Sequence, residues 1–477
     1  LWVLLRGSAY KDPPKRATKE SPRGATVVDT VTSETDKSWV IRGARVLTMA
    51  GPEDALDVDV WVANGQIQAL LPQGAPVPAP VREWNGAGCA LLPGFVQTHV
   101  HLCQTLFRNL ADDLALLDWL QQRVWPLEGA HDPDSLYASA RLGIWELLRG
   151  GTTTILDMGT VKHHDAVFHA LESLGMRALS GKTMMDDPNT PMSLRESTDA
   201  SITESVDLCQ RWHGANQGLL QYAFAPRFAL SCTHTLLSQL GDLAQQYGVR
   251  IHTHASENRD EISLVTARTG LRNIQYFDSI GLLSERLCIA HCIWLDRDEV
   301  ELLARSGAHA LHCPSSNLKL GSGICDVPGL LAAGVSVSIG ADGAPCNNNL
   351  SAFNEIRLAA LLQKPIHGPT AMRAYDVLRL ATIEGARALG LGHLVGTIEP
   401  GKRADLQLIR LSGAHMGPGE SSLAGRLVYG GRDSDVEAVW VDGALRVSGG
   451  ELVGLSEREV VLAAARQVDR VLGRAGL

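Results

Sequence analysis

Thr98 to His101 reads T-H-V-H, and it closes an apolar run that begins P-G-F-V at Pro93. A strand turns every second side chain to the same face, so His99 and His101 project together and two imidazoles converge on one point. Three further apolar runs end the same way. V-R-I-H-T-H-A-S-E (Val249–Glu257) carries His254, C-I-A-H (Cys288–His291) carries His291, and S-V-S-I-G-A-D-G (Ser336–Gly343) carries Asp342. Each such run is followed by helix-like text, for example Asp132 to Arg149 and Thr233 to Tyr247. Strand ends are expected near His101, Asp157, Lys182, Arg227, Glu257, His291, Asn317 and Asp342. Eight repeats of strand and helix argue for a closed parallel barrel, whose chemistry gathers at the C-terminal strand ends. An open doubly wound sheet is the alternative, but it brings the first, fifth, sixth and eighth strands together less readily. No G-x-G-x-x-G or phosphate-binding loop favours a nucleotide cofactor.

Alternating text also stands outside the repeats. V-I-R-G-A-R-V-L-T-M (Val40–Met49) and V-D-V-W-V-A-N-G-Q-I-Q-A-L (Val58–Leu70) precede them, with Asn-Gly as a hairpin turn. R-A-D-L-Q-L-I-R-L (Arg403–Leu411) and V-E-A-V-W-V-D-G-A-L-R-V (Val436–Val447) follow them, with Asp-Gly in the same role. The expected fold is therefore an α/β (β/α)8 TIM-like barrel at 93–396, with a small β-sandwich built from 38–92 and 397–452. A helix is expected over 453–477. Residues 1–37, rich in Lys, Pro, Ser and Thr, read as a disordered leader.

Composition narrows the function. The chain has 477 residues, 45% of them hydrophobic, and a formal charge of -9. An acidic chain without a basic cluster offers no electrostatic footprint for nucleic acid. The apolar stretch at Leu1–Leu5 is too short for a signal-peptide core, and no run is long enough to span a membrane. Nine cysteines, an odd number without C-x-x-C pairing, argue against a disulfide framework and for a reducing cytoplasm. The expected partner is a small molecule, with neither nucleic acid nor membrane, and the expected assembly is a homo-oligomer.

Any one of the 16 histidines is more readily a core or surface residue than a ligand. Their grouping at strand ends reverses that expectation. His99, His101, His254 and Asp342 supply three neutral nitrogens and one carboxylate, a set suited to one divalent transition ion with a position left open for water. Zinc is the first expectation and iron the second. Glu257, three residues after His254, is placed to carry a proton between water and substrate. His291 reads as a group that orients the attacking water and steadies the tetrahedral intermediate. Asp342 doubles as ligand and proton shuttle to the leaving group. His252 shares a face with His254 one layer deeper and reads as a buried supporting group, as does His312. Lys182 is the one lysine near a strand end, and the only candidate to bridge a second metal.

Five motifs in order, P-G-F-V-Q-T-H-V-H-L, I-H-T-H-A-S-E-N, I-A-H-C-I-W-L, H-C-P-S-S-N-L-K-L-G-S-G-I and G-A-D-G-A-P-C-N-N-N-L, resemble the amidohydrolase superfamily. Within it they are most similar to the branch of S-adenosylhomocysteine, 5′-methylthioadenosine and 5′-deoxyadenosine deaminases, over Trp39 to Val447. The resemblance implies a metal-dependent hydrolase of C–N bonds in cyclic amidines, releasing ammonia from C6 of a 5′-modified adenosine. It also implies that Glu128, in W-P-L-E, accepts hydrogen bonds from the ribose hydroxyls. The chain departs from the branch at A-P-R-F-A-L-S-C (Ala225–Cys232), where Arg227 replaces a histidine, and at S-G-K-T-M-M-D-D (Ser180–Asp187), where Lys182 stands near an expected arginine. Arg227 and Lys182 are thus expected at the 5′ end of the substrate. With P-R-F, the I-H-G-P-T at Ile366–Thr370 is most like members labelled 5′-deoxyadenosine deaminases. The alternatives are an amino-heterocycle hydrolase of the 8-oxoguanine or s-triazine type and, more remotely, an inactive scaffold.

Overall fold

A computed structural model describes residues 38–53, 55–78, 81–417 and 422–477. The leader expected over 1–37 lies outside these residues. Eight parallel strands form the barrel: β1 (Phe95–His101), β2 (Thr152–Met158), β3 (Arg177–Gly181), β4 (Leu220–Pro226), β5 (Arg250–Ala255), β6 (Leu287–His291), β7 (His309–His312) and β8 (Ser336–Ile339). They neighbour one another in chain order. Closure comes from a two-residue strand after β8, Asp342–Gly343, which pairs in parallel with Val100 and His101. Beside it the Thr98 hydroxyl lies 2.8 Å from Ser338 Oγ and 3.1 Å from the Ile339 carbonyl. Gly340 makes this seam possible, because a Cβ there would sit 2.7 Å from the His99 backbone.

Several expected strand ends lie just past the observed ones, Glu257 beyond β5 at Ala255 and Asp342 beyond β8 at Ile339 among them. The seventh strand stops at His312, and Asn317 belongs to a helix, Pro314–Lys319, started by a proline at its first turn. β3 stops at Gly181, so Lys182 stands in a break before Thr183–Met184, which pairs with Ala225 and Pro226.

The intervening helices begin where short polar side chains can cap them. Asp132 Oδ1 accepts from the Ser135 amide at 2.8 Å ahead of Pro133–Arg149, and the Thr233 hydroxyl oxygen accepts from the Leu236 amide at 3.1 Å ahead of His234–Tyr247. Inside the barrel, Val96, Leu156, Leu179, Ala223, Cys288 and Leu311 form a dry core closed by Ala386 and Leu389 of the segment after β8. The C-terminal mouth is left for polar side chains.

The strands from the two chain ends join in one mixed sheet: Leu406–Arg410 runs antiparallel to Cys89–Pro93, which pairs with Arg45–Val46. Asn64-Gly65 and Asp442-Gly443 make the hairpin turns, all four residues having positive φ between 52° and 77°. Trp39 stacks on Trp440 with ring centroids 5.0 Å apart in a core drawn from both ends of the chain. Arg177, at the start of β3, locks this layer to the barrel through Asp405 at 2.7 and 3.0 Å and Asp442 at 2.9 Å. The last helix, Glu457–Ala475, packs on Pro133–Arg149. No helix among the described residues is long and apolar enough to cross a membrane.

Candidate active site

Three strand ends bring His99, His101, His254 and Asp342 together, their nearest donor atoms all within 4.8 Å of one another. His99 and His101 Nε2 lie 3.2 and 3.3 Å from Asp342 Oδ1. Each imidazole is held from behind by its other nitrogen. His101 Nδ1 donates to the Met158 carbonyl at 2.9 Å, and His254 Nδ1 donates to the Arg227 carbonyl at 2.7 Å. Carbonyls only accept, so both Nδ1 atoms carry the proton and both neutral rings present a bare Nε2 lone pair. Those two lone pairs face each other at 3.3 Å.

Two opposed lone pairs beside a carboxylate make a site for a cation. His99 Nε2 is likewise buried with no hydrogen-bond partner. Burial drives the His99 pKa down to about 4 and that of His254 well below its ordinary value. Against its burial, Asp342 is held well below the usual carboxylate range by His99 and His101. Neutral imidazoles and an ionised carboxylate are the protonation states a divalent metal requires. The residues therefore fit the expected ion, with zinc first on ligand type.

His252 fills the supporting position one layer down, its Nε2 2.7 Å from His99 Nδ1. His312 is buried nearby with neither ring nitrogen partnered. Glu257 and His291 stand beside the cluster: His291 Nε2 is 3.4 Å from Glu257 Oε2 and 3.9 Å from Asp342 Oδ2. Burial raises the Glu257 pKa, which suits a group that must both take and give a proton. Burial works against the charged form of His291, but Glu257 and Asp342 outweigh it and raise its pKa.

Several supporting residues were not singled out from the sequence. Asn317 Oδ1 lies 2.9 Å from His291 Nδ1, the Ser316 hydroxyl donates to Asp342 Oδ2 at 2.6 Å, and the Ser322 hydroxyl donates to Glu257 Oε1 at 3.2 Å. All three lie in H-C-P-S-S-N-L-K-L-G-S-G-I, and the signal was its run of small polar residues after a strand. Glu261 is buried at the cavity wall and accepts from the Glu257 amide at 2.9 Å, which fixes the turn that carries Glu257.

A partly enclosed cavity opens over these groups. Leu116, Trp119, Leu120, Phe228 and Leu320 wall it, the first three from a short helix, Leu116–Trp119, and the π-turn that follows it. Arg227 also lines it. The Arg227 guanidinium grips Glu128, with Nη1 2.6 Å from Oε2 and Nη2 3.3 Å from Oε1, and Gln104 Nε2 donates to Oε1 at 2.7 Å. Lys182 does not reach the cavity. Its buried ammonium lies 2.6 Å from Glu196, in the loop before the helix Thr198–Trp212, and 3.1 Å from Glu204 on that helix, so its charge is already matched. Lys182, expected as a substrate contact, is thus held by these two carboxylates and is not among the residues that line the cavity.

A family model for the amidohydrolase family matches residues 90–446. The chain is similar to the 5-methylthioadenosine/S-adenosylhomocysteine deaminase of Pelotomaculum thermopropionicum, 36% identical over 91% of this chain and 99% of that one. It is also similar to the 5′-deoxyadenosine deaminase of Methanothermobacter thermautotrophicus, 39% identical over 79% of this chain and 86% of the relative. Among solved structures, an adenosine deaminase from Xanthomonas campestris with bound zinc superimposes with a TM-score of 0.86, at 34% identity, covering 91% of this chain and 98% of that one.

Proposed function

The chain belongs to the amidohydrolase family, and from that premise we propose that it deaminates 5′-modified adenosines hydrolytically, releasing ammonia and the corresponding inosine. The observation that carries the reading is the pair of opposed Nε2 lone pairs of His101 and His254, set 3.3 Å apart beside Asp342 and His99. These four residues would hold one divalent ion, whose chemistry there would be to acidify a water towards neutral pH.

The chain's own groups do the rest. Glu257, kept protonatable by burial, takes a proton from the attacking water and returns it to the ring nitrogen next to C6. The oxygen of that water bonds to C6, the C6–amino bond breaks, and the electron pair leaves with ammonia. Asp342 passes the second proton of that water to the departing nitrogen. His291, braced by Asn317, faces Glu257 and Asp342 and donates to the oxygen that gains charge at C6. Ser322 and Glu261 hold Glu257 in place from its side chain and its backbone.

The nine cysteines are free and buried, which suits a reducing cytoplasmic setting, and we take 38–92 with 397–452 as a β-domain distinct from the barrel at 93–396. Ammonia release from adenosine, 5′-deoxyadenosine and 5′-methylthioadenosine by zinc-loaded protein tests the function. Turnover of 8-oxoguanine or a chlorotriazine, with no ammonia from any adenosine, would overturn it.

A further inference from the structure

We propose that the site selects adenosines whose 5′ substituent is small and uncharged, and that it does so because Arg227 is already neutralised by Glu128. The inference rests on the deaminase reading and deepens it. Among the described residues lining the cavity, Arg227 is the one cation apart from the histidines of the reacting centre. It is not free: Glu128, whose side chain has no exposed surface, takes both terminal nitrogens of the guanidinium and is itself held by Gln104.

Two consequences follow from the order in which these groups meet the cavity. Arg227 lines it and Glu128 stands behind, so a donor-only guanidinium faces the substrate where the resemblance implies an acceptor-only carboxylate. The N–H groups left over from the Glu128 grip suit neutral acceptors, such as ribose oxygens or a ring nitrogen. A carboxylate on the substrate finds no unshared positive charge in the cavity lining. The remaining wall, Leu116, Trp119, Leu120, Phe228 and Leu320, offers contact to a methyl or methylthio group and nothing to an ammonium and carboxylate pair. A homocysteine tail either stays in water and gains nothing or enters and loses its hydration.

The test is the steady-state kcat/KM of the zinc-loaded full chain on 5′-deoxyadenosine, 5′-methylthioadenosine and S-adenosylhomocysteine. The two uncharged substrates are expected to exceed S-adenosylhomocysteine by at least about tenfold, the scale of a charged group entering without a partner. Glu128→Gln keeps an acceptor for Arg227 but releases its charge, and Leu120→Lys adds a cation to the wall. Each should narrow the gap by about threefold or more. Equal or better use of S-adenosylhomocysteine by the unaltered protein overturns the proposal whether or not the variants fold. So does a gap that neither folded variant changes. Failure to release ammonia from any of the three defeats the deaminase reading itself, and this inference with it.

Discussion

His252 has no place in the chemistry, yet its replacement should weaken the hold on zinc. Its Nε2 lies 2.7 Å from His99 Nδ1, and both residues are fully buried. To offer Nε2 to a metal, His99 must carry its proton on Nδ1, and His252 is the acceptor for that proton. His252→Phe keeps an aromatic ring in the space but removes the acceptor. Without metal, His99 can then move its proton to Nε2 and donate to Asp342 Oδ1, 3.2 Å away. With metal bound that escape is closed, and the Nδ1 proton is left buried and unpaired. The penalty therefore falls on the loaded form alone. A stranded buried donor costs about 1–3 kcal/mol, which at about 1.4 kcal/mol per decade is roughly 5- to 150-fold in zinc affinity. Competition for zinc against a chromogenic chelator measures it directly. His252→Gln, which restores an acceptor, should recover part of the loss. Affinity unchanged in the Phe variant, or no tighter in Gln than in Phe, would refute the assignment of the His99 proton.

Other perturbations have equally definite outcomes. Glu257→Gln preserves shape but removes the proton carrier, so kcat should fall by about 10²-fold or more while zinc content, read by elemental analysis, stays the same. Asp405→Ala leaves buried Arg177 with Asp442 alone, and should cost about 3 kcal/mol in denaturant unfolding with little change in KM. Burial and the neighbouring Glu257 lift the Glu261 pKa to about 7, so the folded chain holds a proton there that an unfolded glutamate releases near 4.5. That group's contribution is complete below the unfolded value and is lost as pH rises towards 7. Glu261→Gln should therefore flatten the fall in stability over this window, by at most about 1 kcal/mol per pH unit, and unfolding curves that keep the same slope would contradict it.

The sequence disclosed what depends on strand period and capping, and little that depends on long-range contact. His99 and His101 were readable because facing repeats every second residue, and the helices after Asp132 and Thr233 because a cap precedes an apolar stripe. The expectation for Lys182 came from the resemblance and not from strand period. β3 ends at Gly181, and the next side chain meets Glu196 and Glu204. Asn317 also lies past the strand end near which it was expected, since a proline-started helix intervenes between His312 and the residue that braces His291. The Arg227–Glu128 pair joins residues 99 positions apart on different elements, and no local pattern encodes it. Each of those residues could be assigned a separate role from the text, but not their mutual neutralisation.

The finer geometry of the site comes from where the strands stop being regular. Ser256, His291, Cys292 and Asp342 all adopt positive φ, between 48° and 76°, a region that costs a non-glycine residue of order 1 kcal/mol or more. Such turns persist only if their surroundings hold them, and two of them hold each other. The Ser256 carbonyl accepts from the amides of Ile293 and Trp294 at 3.0 and 2.9 Å, while the Cys292 amide donates to the Ala255 carbonyl at 3.2 Å. The turn that presents Glu257 is thus tied to the turn that presents His291, and their side chains meet at 3.4 Å as a result. A regular strand would instead alternate these side chains into and out of the barrel. Catalysis by a positioned carboxylate needs its oxygen at a set distance from both water and substrate, and here that distance rests on backbone bonds between adjacent strand ends.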